Sequence, residues 1–234
     1  LKKTDEKGDE NFIKAWLRAH YAETIRETKA GAVNKDFDLI GGSFHKWVRD
    51  EREKLRLETS ADFELFIKKF DKFAEVYQRI RLAETTFTEQ TKYVFYNAQL
   101  DFTFQMQLLL APVCYDDSWP VITEKINLTA RFIDLLIMSR VIRYTSVNYS
   151  TIRNYVFNVT KYIRECDITT LKQRLLEKYQ DLEFNPEESL PSWRLNSFTK
   201  KYIKNALARV TSFIEENIGV AEEVIYSLEY RNGL

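Results

Sequence analysis

The sequence is poor in the residues that interrupt regular secondary structure, with only six glycines and four prolines among 234 residues. An all-β fold needs frequent turns, and this composition supplies too few turn residues for one. Only two cysteines occur, Cys114 and Cys166, and their spacing matches no metal or redox motif. We therefore expect long helices and reduced thiols, as in a cytoplasmic protein.

The chain also lacks an excess of charge and a long apolar run. Its 35 basic and 35 acidic residues cancel, so no overall field attracts the chain to nucleic acid or to a membrane surface. No apolar stretch approaches the roughly 20 residues that span a bilayer, and no signal-peptide pattern occurs. These absences predict no membrane partner, and they require any nucleic-acid contact to come from a local patch.

Apolar residues instead recur at helical spacing along most of the chain. The strongest such pattern follows Thr59-Ser60-Ala-Asp62, which has the form of a capping box. Another follows Ser118, with Pro120 in the first turn, and is apolar on nearly every side between residues 132 and 142. We predict an all-α fold, an irregular bundle of about seven to nine helices around a long buried helix near 119–144.

Other helices are predicted over 9–30, after the turn at Gly41-Gly42, over 150–166 and over 169–182. Residues 183–193 hold two of the four prolines and are predicted as a loop. The expected organisation is a bundle over 1–182, that loop, and a C-terminal helical segment over 194–234 that packs on the bundle. The residues predicted to cap helices are Ser43, Thr59, Asp101 and Ser118.

The stretch LDFTFQMQL, residues 100–108, alternates apolar and polar residues, which is typical of a strand. A strand needs a partner, and no second run of this kind exists elsewhere in the sequence. Helical spacing fits as well, with Asp101 as the cap and Pro112 ending the pattern. We predict a helix over 102–111 that packs in the core and carries no chemistry.

Motifs that would carry catalysis are missing from the sequence, which contains no P-loop, HExxH or paired CxxC motif. His20 lies on an apolar helix face and is interpreted as a core histidine. His45 follows Ser43 closely, but packing or capping is favoured over a nucleophile and base pair. Asp116 and Asp117 could hold a cation, although helix-start electrostatics explains them more simply. We predict no catalytic residue and no metal site in this chain.

Two groups of basic residues could contact nucleic acid phosphates. The first surrounds the last helix and comprises Arg194, Lys200, Lys201 and Lys204. The second comprises Arg140, Arg143 and Arg153, of which one or two are expected to pair internally. An internal pair is also expected between Arg131 and the enclosed Asp134. A solvated helix face is the favoured explanation of the lysines. The aromatic residues could stack on bases, but at helical spacing they are interpreted mainly as core.

Six segments, taken in order, resemble the central helical region of the GmrSD-type restriction proteins. They cover nearly the whole chain, and each alone is a weak motif: FIKAWLRAHYAETIRE (12–27), FHKWVRD (44–50), YNAQLDFTFQMQLLLAP (96–112), INLTARFIDLLIMSRVIRY (126–144), YSTIRNYVFNVTKYIR (149–164) and LNSFTKKYIKNALARVTSFIE (195–215).

The resemblance implies a longer parent protein that is an NTP-dependent DNA endonuclease. In that family an N-terminal ParB-like domain with a DGQQR-type motif is associated with nucleotide hydrolysis, and a C-terminal HNH-type domain cuts DNA. This chain has no DGQQR motif and no histidine after His45, so no catalytic residue carries over. The chain begins at Leu1 without a methionine, and we expect it to be a middle region.

The implied function is that of a helical scaffold or linker in a DNA-defence protein, coupling the nucleotide-hydrolysing domain to the nuclease. Nucleotide and divalent metal would be cofactors of the parent protein and not of this chain. The implied partners are the two flanking domains, DNA through the full-length protein, and a second copy in a homo-oligomer. The alternatives are a self-standing helical adaptor that binds a partner protein, and a small-molecule enzyme with a polar pocket among its helices.

Overall fold

The computed structural model describes residues 8–218, and every regular element in this range is helical. A single 3₁₀ turn, Glu89–Thr91, accompanies ten α-helices: α1 (Gly8–His20), α2 (Asp36–Asp50), α3 (Ser60–Thr85), α4 (Lys92–Ala98), α5 (Gln105–Leu110), α6 (Trp119–Ile142), α7 (Tyr149–Ile163), α8 (Ile168–Gln180), α9 (Pro186–Ser189) and α10 (Lys200–Ile218). The all-α prediction is confirmed. The count exceeds the predicted one because α4 and α9, for which no helix was predicted, are too short to show a helical period.

Helix α6 is the long central helix that the sequence predicts. Helices α4, α5 and α8 pack against it, and its side chains at Ile122, Ile133 and Ile137 are at most 1% exposed. One face remains outward, since Leu135 is 45% exposed. Ser118 occupies the predicted N-cap position with extended backbone, but its side chain makes no capping hydrogen bond.

The predicted capping box at the start of α3 is confirmed. The Asp62 amide donates to Thr59 Oγ1 over 3.3 Å, and the Thr59 amide donates to Asp62 Oδ2 over 2.8 Å. The apolar stripe of α3 that follows is only partly buried in the core. Phe73 and Ile80 are buried, whereas Phe63 is 47% exposed, so the first turns of α3 carry apolar side chains outside the core.

Two of the predicted caps are wrong. Helix α2 already begins at Asp36, and Ser43 lies inside it at a kink (φ −151°, ψ 57°). Asp101 is exposed, has a left-handed backbone (φ 53°) and precedes the true N-cap of α5, Phe104, by three residues. Ser43 and Asp101 both lie where the backbone departs from helical geometry. Serine and aspartate are common at helix N-caps and in turns alike, so the sequence did not separate the two roles.

The alternating stretch LDFTFQMQL is neither a strand nor a helix throughout. Residues 99–104 form turns, and helix begins only at Gln105, three residues later than predicted. Phe102 and Phe104 are buried while Asp101 and Thr103 are exposed. The alternation therefore reflects burial of every second side chain along a turn segment that is anchored in the core.

Helix α1 ends at His20, ten residues before the predicted end, because side chains from elsewhere take its terminal peptide groups. Arg164 donates to the carbonyl oxygens of Ala19 and Ala22 over 2.8 Å each. Asp36 Oδ2 accepts the amides of Glu23 and Thr24 over 3.0 and 3.1 Å. The chain beyond α1 is irregular up to residue 35, a course that helical periodicity could not predict.

Only part of the apolar arc that helical spacing predicts for α10 is buried; its members are Phe198, Tyr202, Ile203, Ala206, Val210, Phe213 and Ile214. Tyr202 and Ala208 are buried, but Val210 and Phe213 of the predicted apolar arc are 55% and 66% exposed. The segment 183–193 is irregular apart from α9, and residues 219–234 of the predicted C-terminal segment lie outside the described residues. Within residues 8–218, no helix has the length and apolar character needed to cross a membrane.

Candidate functional site

A groove of about 690 Å³ lies between α1, α3 and the turn that precedes α5. Its volume falls in the range typical of sites for small molecules. The stretch LDFTFQMQL forms one wall, although the sequence predicted that it carries no chemistry. The charged and polar lining residues are Asn11, Lys14, Arg18, Tyr77, Arg81, Glu84, Thr85, Gln99, Asp101, Thr103, Gln105, Gln107 and Tyr149.

Arg18 holds a fixed position in this groove. Its Nε donates to the carbonyl oxygen of Phe37 over 3.0 Å, and its guanidinium carbon lies 4.0 Å from the centre of the Phe37 ring. Its Nη2 is 3.5 Å from the Tyr149 hydroxyl, which is long for a hydrogen bond. Among residues 8–218, Arg18 forms no ion pair.

Gly41 in α2 makes the position of Arg18 possible. A Cβ atom at Gly41 would lie 2.0 Å from Arg18 Nη2, far inside contact distance. At the neighbouring Gly42, a Cβ atom would meet nothing within 4 Å. Gly41 therefore leaves room for the Arg18 guanidinium. The Gly41-Gly42 pair lies inside α2 and does not form the predicted turn.

The other charges of the groove are balanced locally. Arg81 Nη1 is 2.5 Å from Glu84 Oε2, and Lys14 pairs with Glu10 one turn earlier on α1. Gln105 Nε2 donates to Glu84 Oε1 over 3.0 Å and to a backbone carbonyl. Gln105 Oε1 is buried without a hydrogen-bond partner among the described residues. Among the described residues, the groove thus contains one cation without a direct ion pair, Arg18, and one buried acceptor without a donor, Gln105 Oε1.

The predicted basic residues separate into two kinds. Arg143, Arg194, Lys200 and Lys201 are exposed, and Lys204 is partly buried. The Tyr144 hydroxyl accepts the Arg194 amide and donates to the Arg194 carbonyl oxygen over 3.3 Å, which joins the end of α6 to the segment before α10. The fold therefore brings Tyr144, the residue after Arg143, against the backbone of Arg194, 50 residues away.

Arg153 is an internal residue, so its predicted contact with nucleic acid is wrong. Its side chain is 13% exposed, and Nη1 lies 3.1 Å from Asp38 Oδ1. Nη2 donates to the Arg26 carbonyl oxygen over 3.1 Å. The expectation that an arginine of this group forms an internal ion pair is confirmed. Arg140 is also used internally, since it donates to the Ser146 carbonyl oxygen.

Cys114, Asp116 and Asp117 bring together the kinds of ligand atom that can hold a metal ion. A buried ammonium group already lies beside them, because Lys125 Nζ is 2.6 Å from Asp117 Oδ2 and 3.5 Å from Cys114 Sγ. Burial raises the pKa of the Cys114 thiol despite this lysine, which disfavours a thiolate. Asp117 is thus the partner of Lys125, a role that neither sequence interpretation included.

His20 is confirmed as a core histidine, whereas the packing or capping role of His45 stays a prediction. His20 is buried, with Nδ1 3.2 Å from Glu165 Oε1 and Nε2 3.1 Å from the Leu110 carbonyl oxygen. Burial lowers the pKa of His20, and Glu165 offsets this only in part. His45 is exposed on α2, with its ring at 81° to the Phe44 ring and 5.6 Å between the ring centroids.

Asp134, inside the central helix, does not pair with Arg131 as predicted. Its partner is Arg209 of α10, 75 residues away, whose Nη2 donates to Oδ2 over 2.8 Å while Nη1 binds Oδ1. The Arg209 guanidinium also lies 5.0 Å from the centre of the Tyr96 ring on α4. Arg131 is exposed on the surface instead. One side chain thereby joins three helices.

Comparison with protein-family models, with curated proteins and with solved structures finds no match for this chain. The geometry of the described residues must therefore carry the argument for function.

The groove and the Arg209 contact were both missed by the sequence reasoning. The available signals were weak: Lys14 and Arg18 are four residues apart on one helix face, and two adjacent glycines occur inside a helix. Neither signal identifies its partner in space. The residues of the groove belong to several elements that only the fold brings together.

Proposed function

We propose that this chain is a helical scaffold of a restriction-type DNA-defence protein, which couples a nucleotide-hydrolysing domain to a nuclease. The six segments that resemble the GmrSD-type proteins support the proposal. The observation that carries it is the bidentate pair between Arg209 of α10 and Asp134 of α6. Helix α10 belongs to the segment that leads toward the nuclease in that family.

The Arg209 contact suits a coupling role because it fixes α10 to the interior of the bundle. Asp134 is 6% exposed and Arg209 is 21% exposed in their side chains, and planar bidentate pairing restricts orientation as well as distance. A displacement of α10 must therefore break the pair or move α6 as a rigid body. A flexible tether would need no such contact.

Exposed apolar residues on α10 are also explained by the proposal. Phe213 is 66% exposed and Ile218 is 70% exposed, and contiguous apolar surface usually marks an interaction site. In the proposed arrangement the flanking nuclease domain covers this face. The nucleotide and the divalent metal of the parent protein bind to its flanking domains.

The decisive experiment compares this chain with the full-length protein that contains it. The chain alone is expected to hydrolyse neither ATP nor GTP and to leave plasmid DNA intact, whereas the full-length protein performs both reactions. Nucleotide hydrolysis or DNA cleavage by the purified chain alone would contradict the scaffold proposal.

A substitution at Arg209 tests the coupling itself. Arg209→Lys in the full-length protein keeps the charge but removes the bidentate geometry. We expect nucleotide hydrolysis to persist while nucleotide-stimulated DNA cleavage falls about tenfold, the equivalent of one lost charged hydrogen bond. Arg49→Lys on the exposed face of α2 serves as the control. Unchanged cleavage, or an equal loss of both activities, would remove the proposed role of the pair.

A second candidate function is a self-standing helical adaptor for a partner protein. The first turns of α3 favour it, because Phe63, Leu65 and Ile67 are 47%, 46% and 57% exposed. The two functions differ in what the natural reading frame contains. The adaptor requires a frame close to this length, and the scaffold requires coding sequence for further domains on both sides.

Direct contact with DNA is expected to involve Lys200 and Lys201 at the start of α10. Replacing both with glutamine should reduce the slope of log affinity against log salt by roughly 2, since each phosphate contact contributes about 0.9 on duplex DNA. Gel-shift titrations over a range of salt concentrations measure this slope. Lys68→Gln with Lys172→Gln, both exposed, is the matched control. Equal slopes for the two double variants would exclude DNA contact by this face.

A further inference from the structure

Arg18 is a fixed cation that forms no direct ion pair among residues 8–218, and the Asp38 carboxylate acts on it only through space. An arginine carries five N–H donors in a planar fork. The Nε donor is used by the Phe37 carbonyl oxygen, and only the long contact to Tyr149 involves a terminal nitrogen. Among residues 8–218 no carboxylate pairs with it, although burial lowers the pKa of the guanidinium. Most donors of the outer edge of the fork thus remain for an oxygen acceptor from outside the chain.

The position of Arg18 is built by other elements and is not a chance rotamer. The Phe37 ring supports one surface of the guanidinium at 4.0 Å, and Gly41 leaves the space that Nη2 occupies. Glycine inside a helix lowers helix stability relative to alanine. At Gly41 this cost coincides with a close approach of the arginine, whereas a Cβ atom at Gly42 would meet open space.

The groove around Arg18 indicates the class of ligand. Its volume of about 690 Å³ is far larger than a bare inorganic anion requires. Gln105 Oε1 lacks a donor, and the Asp101 carboxylate lies in an exposed position on the groove lining. These acceptors suit a ligand body that carries hydroxyl or amino donors.

We propose that the groove between α1, α3 and the turn before α5 binds a small polar organic oxyanion, whose phosphate or carboxylate group pairs with the terminal nitrogens of Arg18. Planar bidentate pairing is the geometry that arginine offers to both groups. Gln105 and Asp101 accept hydrogen bonds from the body of the ligand. The site needs no flanking domain, so the proposal does not rest on the scaffold function. It meets α10 at its rim, where Asp101 Oδ2 lies 3.9 Å from Lys201 Nζ.

Isothermal titration calorimetry of the purified chain tests the site with five probes. AMP and glucose 6-phosphate present a phosphate ester, citrate presents carboxylates with a hydroxyl group, and adenosine and glucose are the uncharged controls. We expect saturable binding of at least one anionic probe and no binding of the uncharged pair. Binding of only phosphate esters or only citrate identifies the source of the oxyanion.

Two variants locate the binding. Arg18→Gln removes the charge, and Gly41→Ala keeps the charge but displaces the guanidinium, because its Cβ atom would overlap Nη2. Each should weaken binding of the anionic probe tenfold or more. Gly42→Ala, on the adjacent position of the same helix, and Arg49→Gln, at an exposed arginine, should bind as the natural chain does. Circular dichroism confirms that each variant is folded.

Two results would overturn the proposal. One is the absence of binding for all three anionic probes at millimolar concentration. The other is anion binding that survives both Arg18→Gln and Gly41→Ala, which would place the anion elsewhere on the chain. If Arg18→Gln fails to fold, Gly41→Ala against Gly42→Ala decides the question alone, because the atom displaced at Gly41 is the end of a flexible side chain.

Discussion

Replacing Asp36 with alanine is expected to lower the free energy of unfolding by about 4 kcal/mol, because several donors would lose a common acceptor. The residue is 3% exposed. Its Oδ1 accepts from Trp47 Nε1 over 3.1 Å and from Lys54 Nζ over 2.8 Å. Its Oδ2 accepts the amides of Glu23 and Thr24 and the Thr24 hydroxyl over 3.0 to 3.1 Å.

The Asp36 carboxylate replaces the intrahelical bonds that α1 gives up when it ends at His20, so its loss should also release the segment that follows. Urea denaturation of the natural chain and Asp36→Ala measures the change, and hydrogen exchange at Glu23 and Thr24 reports on the local release. Glu64→Ala, at an exposed carboxylate on α3, is the control and should change stability by less than about 0.5 kcal/mol. A loss below about 1 kcal/mol for Asp36→Ala would contradict the expectation.

The same carboxylate makes stability depend on pH. Burial alone would raise the pKa of Asp36, but the hydrogen bonds from Lys54, Trp47 and Glu23 outweigh burial and hold the pKa below its ordinary value of 3.8. A lowered pKa in the folded state means that the unfolded chain binds the proton more readily. The contribution is therefore complete at neutral pH and is lost as the pH falls below about 3.8. Asp36→Ala should show a shallower decline of stability in that range.

Replacing Arg209 with alanine is expected to lower the free energy of unfolding by about 3 kcal/mol, because removing one partner leaves a buried charge uncompensated. The residue left behind is Asp134, whose side chain is 6% exposed inside the central helix. Denaturation of the Arg209→Ala variant measures the loss, with Arg49→Ala at an exposed position as the control.

A double variant separates the ion pair from the packing around it. Asp134→Leu combined with Arg209→Met replaces the pair with apolar side chains, and such exchanges are often neutral or stabilising in buried positions. We expect the double variant to be more stable than Arg209→Ala by about 2 kcal/mol or more. A double variant as unstable as the single one would show that packing, and not the unpaired carboxylate, sets the cost.

Local patterns in the sequence were enough to predict several elements. Thr59 and Asp62 form the expected capping box, and α6 lies within two residues of its predicted end at 144. These features depend on residues at most four positions apart. The same reasoning extended α1 to residue 30, because periodicity cannot detect that Asp36 and Arg164 compete for the backbone at its end.

Candidate site residues were predicted less well, for a related reason. Exposed lysines such as Lys200 and Lys201 can be located from one helix face. Arg153 could not be separated from them, because its internal partner Asp38 is 115 residues away. The resemblance to restriction proteins did not predict the ligand groove. It rests on the order of six segments along the chain, and this order does not say which side chains contact each other.

The sequence by itself determined the all-α class, the long central helix and the cap of α3, because few glycines and prolines and a helical period act over neighbouring residues. Only the tertiary structure decided how Arg18 enters the space at Gly41, how Asp36 holds the chain after α1, and how Arg209 reaches Asp134. Each of these contacts requires two surfaces that are distant in sequence to meet at a fixed distance. That distance is set by packing of the whole bundle, which no local pattern encodes.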